Sequence, residues 1–333
     1  MKIFEIPLST YFHDYNRFKE EFEPFVAEYK DYINDIYFTY NSDVFIDDAM
    51  GLFDENKKNE QVLKMMLYIQ YTYKVNVCPT FNNIYSDMSD NKLNNFMDTI
   101  ELLSDMGIKM FQVPYMHWMI NAIRDRFPDL IFKDTVLQRR YTPQDLWVAG
   151  EAGYDYVNVD RNVIRDEDTL IDIKKMKSKF RNKFGRDLKI VLLANETCAG
   201  RCPVMDEHYM FNSLSKEQYF ESNISQNTCL NWKQNEVKKL KIANIFPLKS
   251  EVDRILKYVD VIKMHGRGNV GMWYNSVEFI TNYVKGNEVL IPSGKHIFSK
   301  TMVTEDRYKK FISFTKNCKF QCWDCDFCEK ILK

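Results

Sequence analysis

The chain has 333 residues, 45% of them hydrophobic and 15% aromatic, which is ample for a core in one large domain or two ordinary ones. Its 46 basic and 47 acidic side chains leave a formal net charge of −1, so no whole-molecule field recruits nucleic acid or an anionic membrane. The opening MKIFEIPLSTYFHDYNRF lacks a basic flank, a long apolar core and a small-residue cleavage site, and no run approaches the roughly eighteen apolar residues of a membrane span. Membrane insertion and secretion are therefore not expected, and the reading places the chain in a reducing, cytoplasmic interior.

In chain order, residues 1–30 read as a helical lead-in. Short β-rich apolar runs then recur: DIYFTY (35–40), KVNVCPTF (74–81), IKMFQVP (108–114), LIFKDTV (130–136), YDYVNVD (154–160), LKIVLLAN (188–195), KLKIANIF (239–246) and VDVIKMHG (259–266). Helix-like segments separate them. In KLNNFMDTIELLSDMG (92–107) the residues Leu93, Phe96, Ile100 and Leu103 recur at helical spacing before Gly107. MHWMINAIRDRFPDL reads as an amphipathic helix that Pro128 ends, and TPQDLWVAGEAGYD starts at a Thr-Pro cap and stops near Gly153. Alternation of this kind predicts a (β/α)8 TIM-like barrel over 31–300, followed by a cysteine-rich, metal-binding tail over 301–333 packed on it.

A barrel of this class carries its chemistry at the C-terminal ends of its strands, where the loops converge over a rigid rim. Polar residues gather there in the sequence: Thr80, Asn82 and Asn83; Tyr115 and His117; Asp134 and Thr135; Asp160, Arg161, Asn162 and Arg165; Asn195 and Glu196; then Lys263, His265 and Arg267. For Asn82, Asn83, Asp134 and Thr135, turn formation or helix capping is the commoner role of a polar residue after a strand. Arg161 and Arg165 are candidates for substrate binding or for surface pairing with Asp166 and Glu167. In KMHGRG the glycines at 266 and 268 allow close approach to a ligand, and Arg267 offers a planar fork for a carboxylate or phosphate. Catalytic candidates are His265, Arg267 and Glu196; substrate-binding candidates are Arg161, Arg165 and Lys263. His208, six residues past Cys202, reads either as an acid/base or as an ordinary polar residue.

The chain carries eight cysteines, and in a reducing interior they suit metal ligation or catalysis better than disulfides. Cys78 lies within a strand run and reads as a buried apolar residue. Cys198, Cys202 and Cys229 follow the LKIVLLAN strand, and Cys318, Cys322, Cys325 and Cys328 crowd the tail as C-x3-C-x2-C-x2-C. The tight C-x2-C-x2-C spacing matches the wrapping of a [4Fe–4S] cube, whereas zinc, the lesser alternative, usually takes two separated C-x2-C knuckles. Two arrangements fit: one cluster shared between the mid-chain trio and a tail cysteine, or a separate metal in the tail. A metal that merely staples the tail to the barrel also fits.

The runs DYVNVDRNVIRD, LKIVLLANETCAGRCPVMDEH, Cys229 and VDVIKMHGR together resemble the collagenase-like peptidase family, the thirty-second peptidase family of unknown catalytic type. The resemblance covers about residues 105–270 and is strongest at Asn-Glu-x-Cys and Lys-x-x-Gly-Arg. It implies a TIM-type barrel, a [4Fe–4S] cluster on Cys198, Cys202 and Cys229, and Lys263 with Arg267 as binders of an anionic group. Relatives of this kind are oxygen-independent hydroxylases acting on ubiquinone precursors or on RNA bases. This chain differs from them in its C-x3-C first pair with only Cys229 following, which makes the tail cysteines the suppliers of a missing ligand.

The leading expectation is an iron–sulfur redox enzyme with a small anionic substrate and an electron donor that the sequence does not identify. The rival is a nucleic-acid-associated or scaffolding protein with a structural cluster. A peptidase is the third reading, and the sequence offers it no Ser/His/Asp set and no H-E-x-x-H.

Overall fold

The computed structural model describes residues 2–40, 59–82, 89–114, 120–195, 205–206, 248–268, 270–290 and 305–315, and in the tail 318–319, 321, 323–327 and 330. Eight strands, β1 (Phe4–Pro7), β2 (Ile33–Thr39), β3 (Asn76–Thr80), β4 (Met110–Gln112), β5 (Ile131–Lys133), β6 (Tyr156–Val159), β7 (Lys189–Ala194) and β8 (Val261–Met264), close into a barrel in chain order. Every neighbouring pair is parallel, including the closing pair β1–β8. The expected fold class is the one observed.

Membership of the barrel differs from the sequence reading at two places. Its first strand is Phe4–Pro7, inside the segment expected to be a helical lead-in; helical structure starts only at Thr10. Four residues are too few for a periodic signal, and all four are buried because one face meets the lumen and the other the helical layer. The strand expected at 239–246 lies outside the described residues, and β7 pairs directly with β8 from Val191↔Val261 to Ala194↔Met264. The ring of eight closes without it.

The helices form where local chemistry directs. Ser89 caps Asp90–Asp105 by accepting from the Lys92 N–H, and Phe96, Ile100 and Leu103 turn inward at the expected spacing. Thr142 and Asp145 make a reciprocal capping box at Pro143–Ala152, with the proline at the first helical position where no amide hydrogen is needed. Outward strand residues pack on this layer. Phe4 stands edge-on to Phe279 and Tyr283 of the helix Val270–Val284, with ring centroids 6.1 and 5.3 Å apart.

Candidate functional site

Strand alternation sends every second residue into the lumen, and here several of those residues are charged. Lys133 on β5 donates to Glu5 Oε2 on β1 at 2.5 Å and to Asp35 Oδ2 on β2 at 2.7 Å. Lys263 on β8 donates to Glu5 Oε1, and to Gln112 Oε1 on β4 at 2.8 Å. In a ring of eight, β1 lies opposite β5 and β4 opposite β8, so both lysines bridge the full width of the barrel. Both sides of each ion pair are buried.

The charges hold one another in place. Burial alone would raise the Glu5 carboxyl, but Lys133 and Lys263 outweigh it and keep it below its ordinary value. Asp35 is raised, by burial first and then by the neighbouring Glu5. Burial would lower the Lys133 ammonium, and Asp35 and Glu5 overcome that and lift it. Cys78, on β3 among these groups, is fully buried and its thiol is pushed up by desolvation, which agrees with an inert core cysteine and not a metal ligand.

From this network polar contacts climb to the C-terminal mouth. Gln112 donates from Nε2 to Asn82 Oδ1 at 2.6 Å. Arg267, past the end of β8 and 4% exposed, donates from a terminal nitrogen to Thr80 Oγ1 at 2.6 Å, and Thr80 in turn donates to the Phe38 carbonyl at 3.0 Å. Burial pushes the Arg267 guanidinium down to about 10, so it stays charged at neutral pH. Tyr37 donates its hydroxyl to the Met264 carbonyl at 2.6 Å, and the Lys263 ammonium lies 3.9 Å from its ring centroid.

The KMHGRG stretch is built differently from the expectation. Lys263 lies within the lumen and not on the rim. His265 places Nδ1 3.0 Å from Met272 Sδ, and its carbonyl accepts from Ser276 Oγ at 2.7 Å, so the residue faces the helix Val270–Val284. Gly266 has φ +135°, and a Cβ there would come within 2.6 Å of the Trp273 nitrogen. The close approach it permits in the structure is to that helix.

On the opposite side of the mouth, Asp134 accepts from Arg140 Nε at 2.6 Å and from the Asn158 N–H at 2.5 Å; burial raises its carboxyl despite Arg140. Asp160 accepts from the Asn162 N–H at 2.8 Å and from its amide nitrogen at 2.6 Å; burial raises it, and Arg161 opposes that. Arg161 is fully buried just past β6, which removes the reading of a surface charge. Arg165 ends the short helical turn Arg161–Arg165. Asp166 caps Glu167–Phe184 by accepting from the Thr169 N–H, and Glu167 pairs with Arg254. Thr135 takes the ordinary reading and caps the turn that follows it.

Two anchors frame the first pair of thiols. β7 ends at Ala194, after which Asn195 adopts a left-handed φ of +56°. Asp206 is ion-paired with Arg139, whose neighbour Arg140 bridges Val159 at the end of β6. Both anchors stand at the mouth. Glu196, Cys198, Cys202, His208 and Cys229 lie outside the described residues, as do Asn83, Tyr115, His117, Cys322 and Cys328. In the tail, Cys318 is half-buried and Cys325 exposed, both as free thiols, and Phe314 stacks on Phe327. Among the described residues no three His, Cys, Asp or Glu side chains are grouped to hold a metal, and no helix is long and apolar enough to cross a membrane.

Sequence reasoning missed Glu5, Asp35 and Lys133. The available signal was a charged residue inside an otherwise apolar strand run, as in LIFKDTV and DIYFTY.

No family model and no curated protein matches the chain. Among solved structures, a U32 peptidase is similar at 12% identity over 64% of this chain and 76% of its own, with a TM-score of 0.47. A dipeptide epimerase from Enterococcus faecalis is similar at 11% identity over 58% of this chain and 48% of its own, with a TM-score of 0.39. A thiamine phosphate pyrophosphorylase from Pyrococcus furiosus is similar at 13% identity over 57% of this chain and 73% of its own, with a TM-score of 0.33.

Proposed function

We propose that the chain is an iron–sulfur enzyme of the oxygen-independent hydroxylase kind, which takes a small anionic substrate at the C-terminal mouth of its barrel. The observation that carries this reading is the pair of anchors at the mouth: Asn195 and Asp206 bracket the stretch bearing Cys198 and Cys202, on the same barrel end as the buried Arg267. Cys198 is three positions past Asn195, a reach of at most about 11 Å.

The donor chemistry fits a [4Fe–4S] cluster. Thiolates of Cys198, Cys202 and Cys229, completed from Cys318, Cys322, Cys325 or Cys328, would hold it, and zinc is the alternative occupant of the same sulfurs. A bound cluster supplies electron transfer. The chain's own residues do the rest. Arg267 draws the anionic group of the substrate into a site lined by Thr80 and Tyr37, and Arg161 adds a second buried positive charge at the same rim. The Lys133 and Lys263 bridges keep the strands that carry these groups in register.

Iron and sulfide analysis with EPR on protein purified without oxygen tests the reading, together with Cys198→Ala and Cys325→Ala. About four irons per chain are expected in the parent and a loss in the Cys198 variant. Colourless parent protein holding zinc or nothing overturns the cluster. Trp323, 77% exposed beside Cys325, favours a second reading in which the tail stacks on nucleic acid. Salt-sensitive RNA or DNA binding lost in Trp323→Ala would support that reading.

A further inference from the structure

We infer that Thr39 is a ligand-binding residue whose hydroxyl donates to the oxyanion neutralised by Arg267, an inference that rests on the anion site proposed above. Thr39 ends β2 at the mouth and is 6% exposed, and its Oγ1 is buried with no hydrogen-bond partner among the described residues. The other buried hydroxyls among the described residues are each engaged. Ser9 and Thr135 accept from backbone N–H groups, while Thr80, Ser276 and Thr315 donate to carbonyls. A buried hydroxyl left out of that pattern is costly unless something else uses it.

Its neighbourhood says what that is. Thr39 and Thr80 are register partners on adjacent strands, which brings their side chains to about 5 Å of each other on the same face. Thr80 has already committed its hydrogen to the Phe38 carbonyl and its oxygen to Arg267. Thr80 therefore positions the guanidinium but has no hydrogen to give an anion. Thr39 has one, and it stands one strand away from the Thr80 hydroxyl that Arg267 contacts. The ligand chemistry is an oxyanion, carboxylate or phosphate, with one oxygen on the guanidinium side and another in reach of the Thr39 hydroxyl.

Binding of succinate and of inorganic phosphate to the full chain, read by calorimetry and by melting temperature at matched chloride, tests this and separates the two sources of oxyanion. The parent should bind one of them more tightly than chloride. Thr39→Val should weaken that binding about tenfold or more, as expected for a hydrogen bond to a charged group. Thr39→Ser should remain within about threefold of the parent, and Thr39→Ala replaces the valine variant if that one does not fold. Parent-like binding in Thr39→Val or Thr39→Ala, or an equal loss in Thr39→Ser, overturns the role of Thr39 alone, provided Arg267→Gln has lost binding. Parent-like binding in Arg267→Gln, or no preference for either anion over chloride in the parent, overturns the anion site and Thr39 with it.

Discussion

Lys263 and Gln112 meet at 2.8 Å across the lumen, joining β8 to β4 over the full width of the barrel. Lys133 makes the matching bridge from β5 to Glu5 and Asp35. Buried ion pairs of this kind add little net stability compared with a well-packed apolar core, but breaking one leaves a charge stranded.

Lys133→Met should therefore destabilise the fold by about 3–5 kcal/mol, because both Glu5 and Asp35 lose the ammonium they share. Urea denaturation measures it. A loss below about 1 kcal/mol would mean that the carboxyls are neutral in the folded chain and the bridge carries no charge.

The pH dependence of stability should carry a signature of Asp160. Its folded carboxyl is raised, chiefly by burial, so the folded state binds the proton more tightly than the unfolded chain does. The stability this group contributes is fully present below its unfolded value near 4 and is lost as pH rises through the higher folded value. Asp160→Asn keeps an oxygen to cap Asn162 and removes that dependence. Relative to the parent, the variant should gain stability from about pH 4 upward and then level off. Parallel stability profiles for the two proteins would refute this.

Gly266→Ala should cost about 1–3 kcal/mol, since a Cβ at φ +135° meets the backbone of Trp273 and Met272. The shift would also move Arg267, whose carbonyl accepts from the Thr10 N–H at 2.8 Å, so anion binding should weaken together with the melting temperature. Unchanged melting would show that the loop has room to yield.

Cys78→Ala should leave iron and sulfide content at the parent level while costing about 1 kcal/mol of stability. Its thiol is enclosed by the lumen network, far in chemistry from a thiolate ligand. Loss of iron in this variant alone would overturn the assignment of the cluster to the clustered cysteines.

Much of the barrel was legible in the chain itself. Seven of its strands and the caps at Ser89 and Thr142 follow from local patterns, because apolar runs, Gly and Pro breaks and capping side chains act within a few residues. Arg267 and Arg161 were also readable, since the position of a polar residue just past a strand tells which end of the barrel it occupies. The strand Phe4–Pro7 was not, because its four residues are held by pairing with β2 and β8 and not by any pattern of their own.

The lumen network and the vacancy in the hydrogen bonding of Thr39 belong to the tertiary structure alone. Glu5 and Lys133 are 128 positions apart, and Arg267 and Thr80 are 187 apart. No local pattern encodes which inward residues of opposite strands will meet; ring closure and strand register decide it. The sequence by itself determined the fold class and the end of the barrel where polar groups gather, and closure of the ring decided which of those groups touch, because only then do opposite strands face one another.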